Sequence, residues 1–586
     1  MLLAVALTCA TCHPAIAESF AKTGMARSFR AVKAPLPEFA GQTFPHEASE
    51  QYFTPLMLAG RPFLRRFQKL PDGTVTNFLE KSADYVIGSG DHSRTYLHRT
   101  PTGKLIELPL SWYSEKGGYW HMSPAYDRPD HSGFTREVTY RCMFCHNAYP
   151  EIPARADEWD GAVYSGPLPE GIDCQRCHGA GGNHTEAAQQ GKPLAEVRAA
   201  IVNPARLSLE RRTEICMQCH LESTSSHLPA ARLRQGRAVF SYRPGEPLAD
   251  YTLHFDHAPG TGHDGKFEIV SAAYGMRKSA CFRKSGTLTC TACHDPHGQP
   301  RSVTRACQGC HPAPAHTAAV QGECASCHME RRRPEDVIHV EMTDHEIRRR
   351  PLHAAPPAFE VNTFNTPAYR GEVVPYYPAA AVNELELALA QVADGANLRV
   401  GLVRLERMPA APPFEVGQAW LLAGDRAKAA RSFEAAVRGE PGNWRYRYAA
   451  ALVAEPAAAV VHLERARELA PREAIVLVAL ANLQPANAVA LLRQAIALDP
   501  DLPENHNNLA SALLRRGDAA GAVAEYGEAI RLRPEAGEFQ LNLANLYLRL
   551  RNHDKAAYHL GQAARSPNPE LRKVATGMLA TMPRKP

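Results

Sequence analysis

The second part of the chain has no cysteine. All 15 cysteines lie between Cys9 and Cys327, and the last 259 of 586 residues hold none. Histidine is almost as lopsided, with 22 of 26 at or before His353. Two regions of different chemistry are therefore joined in one chain. Other absences narrow the class further. No uninterrupted apolar run reaches the roughly 18 residues that cross a bilayer, so no transmembrane span is expected. The formal charge is only +5, and neither part carries the basic excess that phosphate contacts need, which argues against a nucleic-acid partner. Neither a His-Glu-x-x-His zinc motif nor a nucleophile elbow occurs. What is present, 45% hydrophobic and 22% charged residues, is the composition of a folded protein. The length exceeds a typical domain of about 150 residues several-fold.

Fourteen of the cysteines form seven pairs with two residues between them, and histidine follows every second cysteine. The motifs are Cys9-x-x-Cys12-His13, Cys142-x-x-Cys145-His146, Cys174-x-x-Cys177-His178, Cys216-x-x-Cys219-His220, Cys290-x-x-Cys293-His294, Cys307-x-x-Cys310-His311 and Cys324-x-x-Cys327-His328. This is the attachment signature of c-type haem. Two thiols three positions apart reach the two vinyl groups of one porphyrin, and the following imidazole swings under the iron as proximal ligand. Seven haems c are expected. Zinc is the competing reading, because the pairs beginning at 290, 307 and 324 have spacings near those of a zinc ribbon. Zinc does not demand a histidine directly after every pair. A redox dithiol array is weaker still, since catalysis needs one accessible low-pKa thiol and not seven copies. Cys281 has no partner at this spacing and reads as a small buried hydrophobe, with a role in iron or sulfur chemistry as the alternative.

The face of each iron opposite the proximal histidine decides the chemistry: a filled site moves electrons and an open one binds substrate. The string CATCHPAIAESFAKTGMARSF from Cys9, the CHGAGGNH and CHDPHG extensions of the third and fifth motifs, and CASCHM followed by MTDHEI resemble bacterial multihaem cytochromes c. These are distantly akin to the cytochrome c nitrite reductase and hydroxylamine oxidoreductase superfamily. The resemblance covers most of residues 9 to 350 and implies bis-histidine ligation. Carried over residue by residue, it implies His184, His297 and His345 as distal ligands, with His339 behind them, then His46, His92 and His257. His98, His121, His131, His227, His254, His263, His316 and His353 stand last, and Met25, Met57, Met122 and Met276 are the methionine alternatives. Nitrite reductases of this kind usually carry Cys-x-x-Cys-Lys at the catalytic haem, and no such motif occurs here. No catalytic residue is therefore named.

Short tethers between motifs force neighbouring porphyrins together, and too few residues per haem remain for conventional cores, so porphyrins are expected to supply much of the buried apolar surface. The exception is the long stretch between His13 and Cys142. TVTNFLE, DYVIG, KLIELPL and GYWHM, punctuated by Pro71-Asp72-Gly73, Pro101-Thr102-Gly103 and Gly117-Gly118, predict a small antiparallel β-meander within about 70–125. Arg331 to Arg333 and Arg348 to Arg350 are either partners for haem propionates or a solvated charge run.

From about residue 380 the chain turns to Ala, Leu, Arg and Glu, with Pro441, Pro471, Pro500, Pro534 and Pro567 at spacings of 29 to 34. Periods near 34 predict helical-hairpin repeats of the tetratricopeptide type. Leu509, Leu513, Ala522, Tyr526 and Ala529 mark one unit, Leu543, Tyr547, Ala556, Tyr558 and Ala563 the next, and Trp420, Ala429, Phe433 and Ala436 an earlier one, with Pro569 to Met582 as a capping helix. The fold class is mixed: a haem-dense, loop- and helix-rich cytochrome domain at 1–350, a proline-rich linker at 351–379, and an all-α solenoid at 380–586.

Covalent haem is attached after export, so a periplasmic or extracellular location is expected. Met1 to Thr8 lacks a basic region, and cleavage after Ala15-Ile16-Ala17 would discard the first motif, so the start reads as truncated or assigned too late; six haems are the fallback. The leading expectation is an electron-relaying cytochrome whose repeats dock a redox partner protein or a peptide, or mediate self-assembly. The alternative is an oxidoreductase with one open-faced haem acting on a small nitrogen or sulfur compound.

Overall fold

The computed structural model describes residues 8–33, 35–153, 161–224, 228, 230–312, 323–349, 369 and 371–582. Nine strands fill the interval between the first two motifs: β1 (Phe29–Ala31), β2 (Phe44–His46), β3 (Gln51–Leu58), β4 (Arg61–Lys69), β5 (Val75–Ser82), β6 (Tyr85–Ile87), β7 (Ser93–Arg99), β8 (Leu105–Tyr113) and β9 (Tyr119–Met122). They form two antiparallel sheets, β2-β3-β4-β5 and β1-β6-β7-β8-β9. Phe53, Leu64 and Leu79 of the first sheet and Val86, Tyr96, Leu108 and Leu110 of the second bury against one another in a single core. Of the anticipated meander, DYVIG, KLIELPL and GYWHM are β6, β8 and β9 of the second sheet, whereas TVTNFLE is β5 of the first. The β3–β4 hairpin escaped notice because Pro55 and Pro62 sit inside its strands, and proline removes a ladder donor and argues against a strand. Its turn is tight: Ala59 and Gly60 both have positive φ, 46° and 78°, as a two-residue hairpin of matching twist requires.

Short helices carry the cysteine motifs: Cys9–Cys12, Tyr140–His146, Gln175–His178, Leu209–His220, Val303–Gln308 and Cys324–His328, with a 3-10 turn at Cys290–Ala292. Two small sheets lie among them, β10 (Ala231–Leu233) and β11 (Thr252–His257) with β14 (Val373–Tyr377), and β12 (Arg331–Arg332) with β13 (Met342–Thr343). β14 falls where an extended linker was anticipated; 350–368 and 370 lie outside the described residues. Among the described residues no buried apolar side chain falls before Phe29, between Ile172 and Ile215, or, Pro334 aside, between Met276 and Val337. Segments this poor in core cannot hold their shape through their own side chains.

From Glu384 onward the chain is helical hairpins. Helix pairs such as Pro503–Arg515 with Ala519–Leu532 and Gly537–Arg549 with His553–Ala563 lead to a last helix at Pro569–Thr581. Ala522, Ala529, Ala556 and Ala563 are fully buried, because alanine at the crossing lets paired helices approach closely. Tyr558, assigned to the packed face from the repeat pattern, is instead 41% exposed, and Leu560 fills the interior position.

The repeats rest on the four-stranded sheet. Arg66 of β4 is fully buried and donates from Nη2 to the carbonyls of Arg531 (2.6 Å) and Leu532 (3.2 Å) at the C-terminal end of the Ala519–Leu532 helix, where the macrodipole favours a cation. Gln51 donates to Glu535 at 2.8 Å, and Lys81–Asp501 and Lys104–Asp499 add ion pairs at 2.6 and 3.1 Å.

Candidate functional site

Each motif occupies about one helical turn, which sets cysteines i and i+3 on one face and leaves the histidine at the end of the turn. Thr139, Ser208 and Ser302 cap the starts of three of these helices with their side chains. No two of the 15 cysteines form a disulfide. Burial pushes Cys174 up to about 11, Cys177 up to about 12 and Cys307 up to about 11. Cys219 goes the other way, brought down to about 7 chiefly by its hydrogen bond with Cys145, so thiol ionisation alone does not separate the readings. Among the described residues no three motif side chains converge on one point within metal-binding reach, so a tetrahedral zinc set is not assembled.

Three histidine pairs stand out. His13 faces His184 with ring centroids 6.5 Å apart and planes 18° from parallel; His178 faces His297 at 6.1 Å and 11°; His294 faces His345 at 6.0 Å and 29°. Each joins a motif histidine to one outside the motifs. Two imidazoles on opposite sides of one metal, each bound at about 2 Å, place their ring centres about 6 Å apart.

The proton positions point the same way. Nδ1 of His178 donates to the Val202 carbonyl (2.8 Å), of His184 to Val197 (2.8 Å), of His345 to Thr343 (3.0 Å) and of His328 to Arg348 (2.7 Å). A carbonyl only accepts, so Nδ1 carries the proton and Nε2 keeps its lone pair, the arrangement of metal-ligating histidine. Burial lowers His178, His220 and His345 and holds His146 down at about 4, which keeps these rings neutral.

Other sequence-predicted histidines lie elsewhere. His46 and His339 gather with His121 around Asp127 in the β region. His257 accepts at Nδ1 from the Lys266 ammonium (3.1 Å), which leaves the proton on Nε2, and it stacks on His263 at 3.9 Å. His92 and His311 are exposed. His227, His316 and His353 lie outside the described residues.

The motifs touch one another in a definite order. Cys9 perturbs Cys174; Cys177 and Cys145 each neighbour Cys219; Cys216 neighbours Cys290; and Cys307 neighbours both Cys293 and Cys324, with Cys281 beside it. Numbered along the chain, the motifs therefore run 1, 3, 4, 5, 6, 7, and motif 2 lies beside 3 and 4. Inner residues of the motifs lock the middle: Gln218 donates to the Arg176 carbonyl (3.1 Å) and Arg176 to that of Phe144 (2.7 Å).

Arg176 was not singled out from the sequence. Its side chain is buried, its guanidinium lies over Phe144 at 4.2 Å, and its Nε and Nη1 have no acceptor. Such orphaned donors fit a haem propionate. The arginine runs expected in that role are otherwise engaged: Arg331 with Glu341, Arg332 with Asp344, Arg333 with Glu115 and Arg348 with Glu346. The coreless segments, the facing imidazoles with protonated Nδ1, and this arginine all fit haem.

The family model for the tetratricopeptide repeat matches residues 473–526 and 507–570. The multiheme cytochrome MtrA of Shewanella baltica strain OS185 is 22% identical over 164 residues, 27% of this chain and 45% of that protein. The chain thus spans less than half the length of this curated relative. A thermophilic tetratricopeptide-repeat protein of Thermus thermophilus is 19% identical, covering 29% of this chain and 97% of its own, with a TM-score of 0.26. MamA of Desulfovibrio magneticus RS-1 is 18% identical, covering 28% and 94%, with a TM-score of 0.25. The C-terminal region is a set of tetratricopeptide repeats, and part of the chain has a distant similarity to a multihaem cytochrome.

Proposed function

We propose that this chain is an exported cytochrome that binds seven haems c and relays single electrons, with its repeats docking a redox partner. The observation that carries the reading is the set of three facing histidine pairs at 6.0–6.5 Å. The fourteen motif cysteines tether the porphyrins through thioethers, and the seven motif histidines are the proximal ligands. His184, His297 and His345 are the distal ligands of motifs 1, 3 and 5. Each bound haem supplies reversible one-electron transfer. The protein's share is to fix ring orientation through the Nδ1 hydrogen bonds, to neutralise propionate charge with Arg176, and to hold the attachment sites in sequence. Exposed thiols occur in motifs 1, 2 and 6 (Cys9, Cys12, Cys142 and Cys310), whereas those of motifs 3, 4 and 5 are partly buried. The thiols of motif 7 are partly buried as well, so motif 1, with both thiols exposed, is the end that lies nearest the surface. Distant similarity to a multihaem cytochrome supports the same reading.

The test is a haem count on protein matured in a periplasm. Seven covalent haems per chain, with low-temperature electron paramagnetic resonance dominated by low-spin iron, is the expected result. Colourless protein, or porphyrin extractable into acidified organic solvent, overturns it.

A further inference from the structure

His121 and His339 have ring centroids only 3.8 Å apart, with planes at 39°. That is far too close for opposite faces of one porphyrin, where about 6 Å is needed, and nearer to the roughly 4.5–5 Å of two imidazoles bound side by side to one ion. Both rings point a nitrogen at the same carboxylate oxygen. His121 Nδ1 lies 4.0 Å and His339 Nε2 3.9 Å from Asp127 Oδ2, beyond hydrogen-bond reach in both cases. All three donor atoms lie within 4.8 Å of one another, and Asp127 and His339 also line a small cavity with Tyr113, Ser123 and Asp336. His121 Nδ1 is buried and makes no hydrogen bond. We infer that His121, Asp127 and His339 bind a single divalent transition-metal ion, separate from the cysteine motifs.

The surroundings hold the carboxylate for that task. The Gly133 amide donates to His131 Nδ1 (3.0 Å), so His131 carries its proton on Nε2 and donates it to Ser49 Oγ (3.3 Å). The Ser49 hydroxyl then donates to His46 Nδ1 (2.7 Å), and His46 Nε2–H donates to Asp127 Oδ1 (3.3 Å). One consistent set of proton positions thus ties down Oδ1 and leaves Oδ2 facing the two imidazoles. Outer partners that orient a ligating carboxylate in this way belong to metal sites. Two nitrogens and one oxygen are a donor set for zinc or iron(II), and three protein ligands leave coordination positions open to water or a small molecule, as in catalytic and not structural sites.

The experiment uses the haem-loaded full chain, freed of loose metal with a chelator and titrated with Zn²⁺ by calorimetry and elemental analysis. Haem iron does not interfere with the zinc signal, and the result is independent of how many haems are bound. The wild type is expected to take up one zinc more than Asp127→Asn and His121→Ala, and His46→Ala to keep that stoichiometry with about tenfold weaker affinity. Zinc is also expected to raise the wild type's melting temperature, a readout that needs no folded variant. Equal zinc uptake by wild type and variants, or a melting temperature indifferent to zinc, overturns the proposal.

Discussion

A histidine's role here is set by which nitrogen carries the proton. His184 and His345 hand Nδ1–H to a backbone carbonyl and face a motif ring, whereas His257 accepts from Lys266 at the same atom. Replacing His184, His297 or His345 by alanine is expected to convert one low-spin iron per variant to high spin in electron paramagnetic resonance, and the exposed His92→Ala to change nothing. An unaltered spectrum in the first three would remove them as ligands. Gly298 extends the argument to a residue with no side chain. Its φ is +87°, and a Cβ there would meet the Ser19 carbonyl and Thr23 Cγ2, both at 2.9 Å. Gly298→Ala should therefore push the His297 loop off the Pro14–Phe20 helix and broaden or remove the same low-spin signal that His297→Ala removes. The sequence made the seven motifs and the three histidines that face motif rings legible because each lies in a short string with a local signature. Arg176 and the His121–Asp127–His339 cluster were not legible. Their partners come from distant segments, and nothing in a lone histidine or arginine announces what will face it.

At the level of elements, helical periodicity served better than alternation. The repeat pattern placed Ala522, Tyr526, Ala529, Leu543 and Ala556 on buried faces, since proline spacing and small crossing residues are both written locally. It misplaced the interior position at Tyr558, two residues before Leu560, because an aromatic at a repeat site is a statistical habit and burial is decided by the neighbouring helix. Leu560→Ala should cost about 2–5 kcal/mol of repeat stability in thermal melts while the haem absorption stays unchanged. The contact between sheet and repeats carries its own pH signature. Burial raises Glu535 to about 7, with Arg66 pulling the other way. An acid whose folded pKa exceeds its unfolded value loses stability as pH climbs between the two, so docking should weaken by up to about 3 kcal/mol from roughly pH 4.5 to 7 and level off above. Glu535→Gln should flatten that slope in melting temperature. Arg66→Ala should weaken docking most above about pH 7, because there it takes from a buried carboxylate the cation that most favours its charge.

Across the whole molecule, the proposed relay has one motif through which the others communicate. Motif 4 neighbours 2, 3 and 5, whereas motif 2 lies to the side. Replacing Cys216 and Cys219 by serine should split the protein into two pools of haem that reduce at separate rates in stopped-flow absorbance. Replacing Cys142 and Cys145 should remove one haem and leave a single connected pool. Equal effects of the two pairs would contradict the order.

The clamp of Arg66, Lys81 and Lys104 on the loops and helix end at 499–535 has a consequence for recognition. One flank of the repeats is already taken by the chain's own sheet, so a protein docked as proposed would have to approach from the free rim. Once seated, it is indexed to the β sandwich at a set distance and bearing, and capture is also alignment.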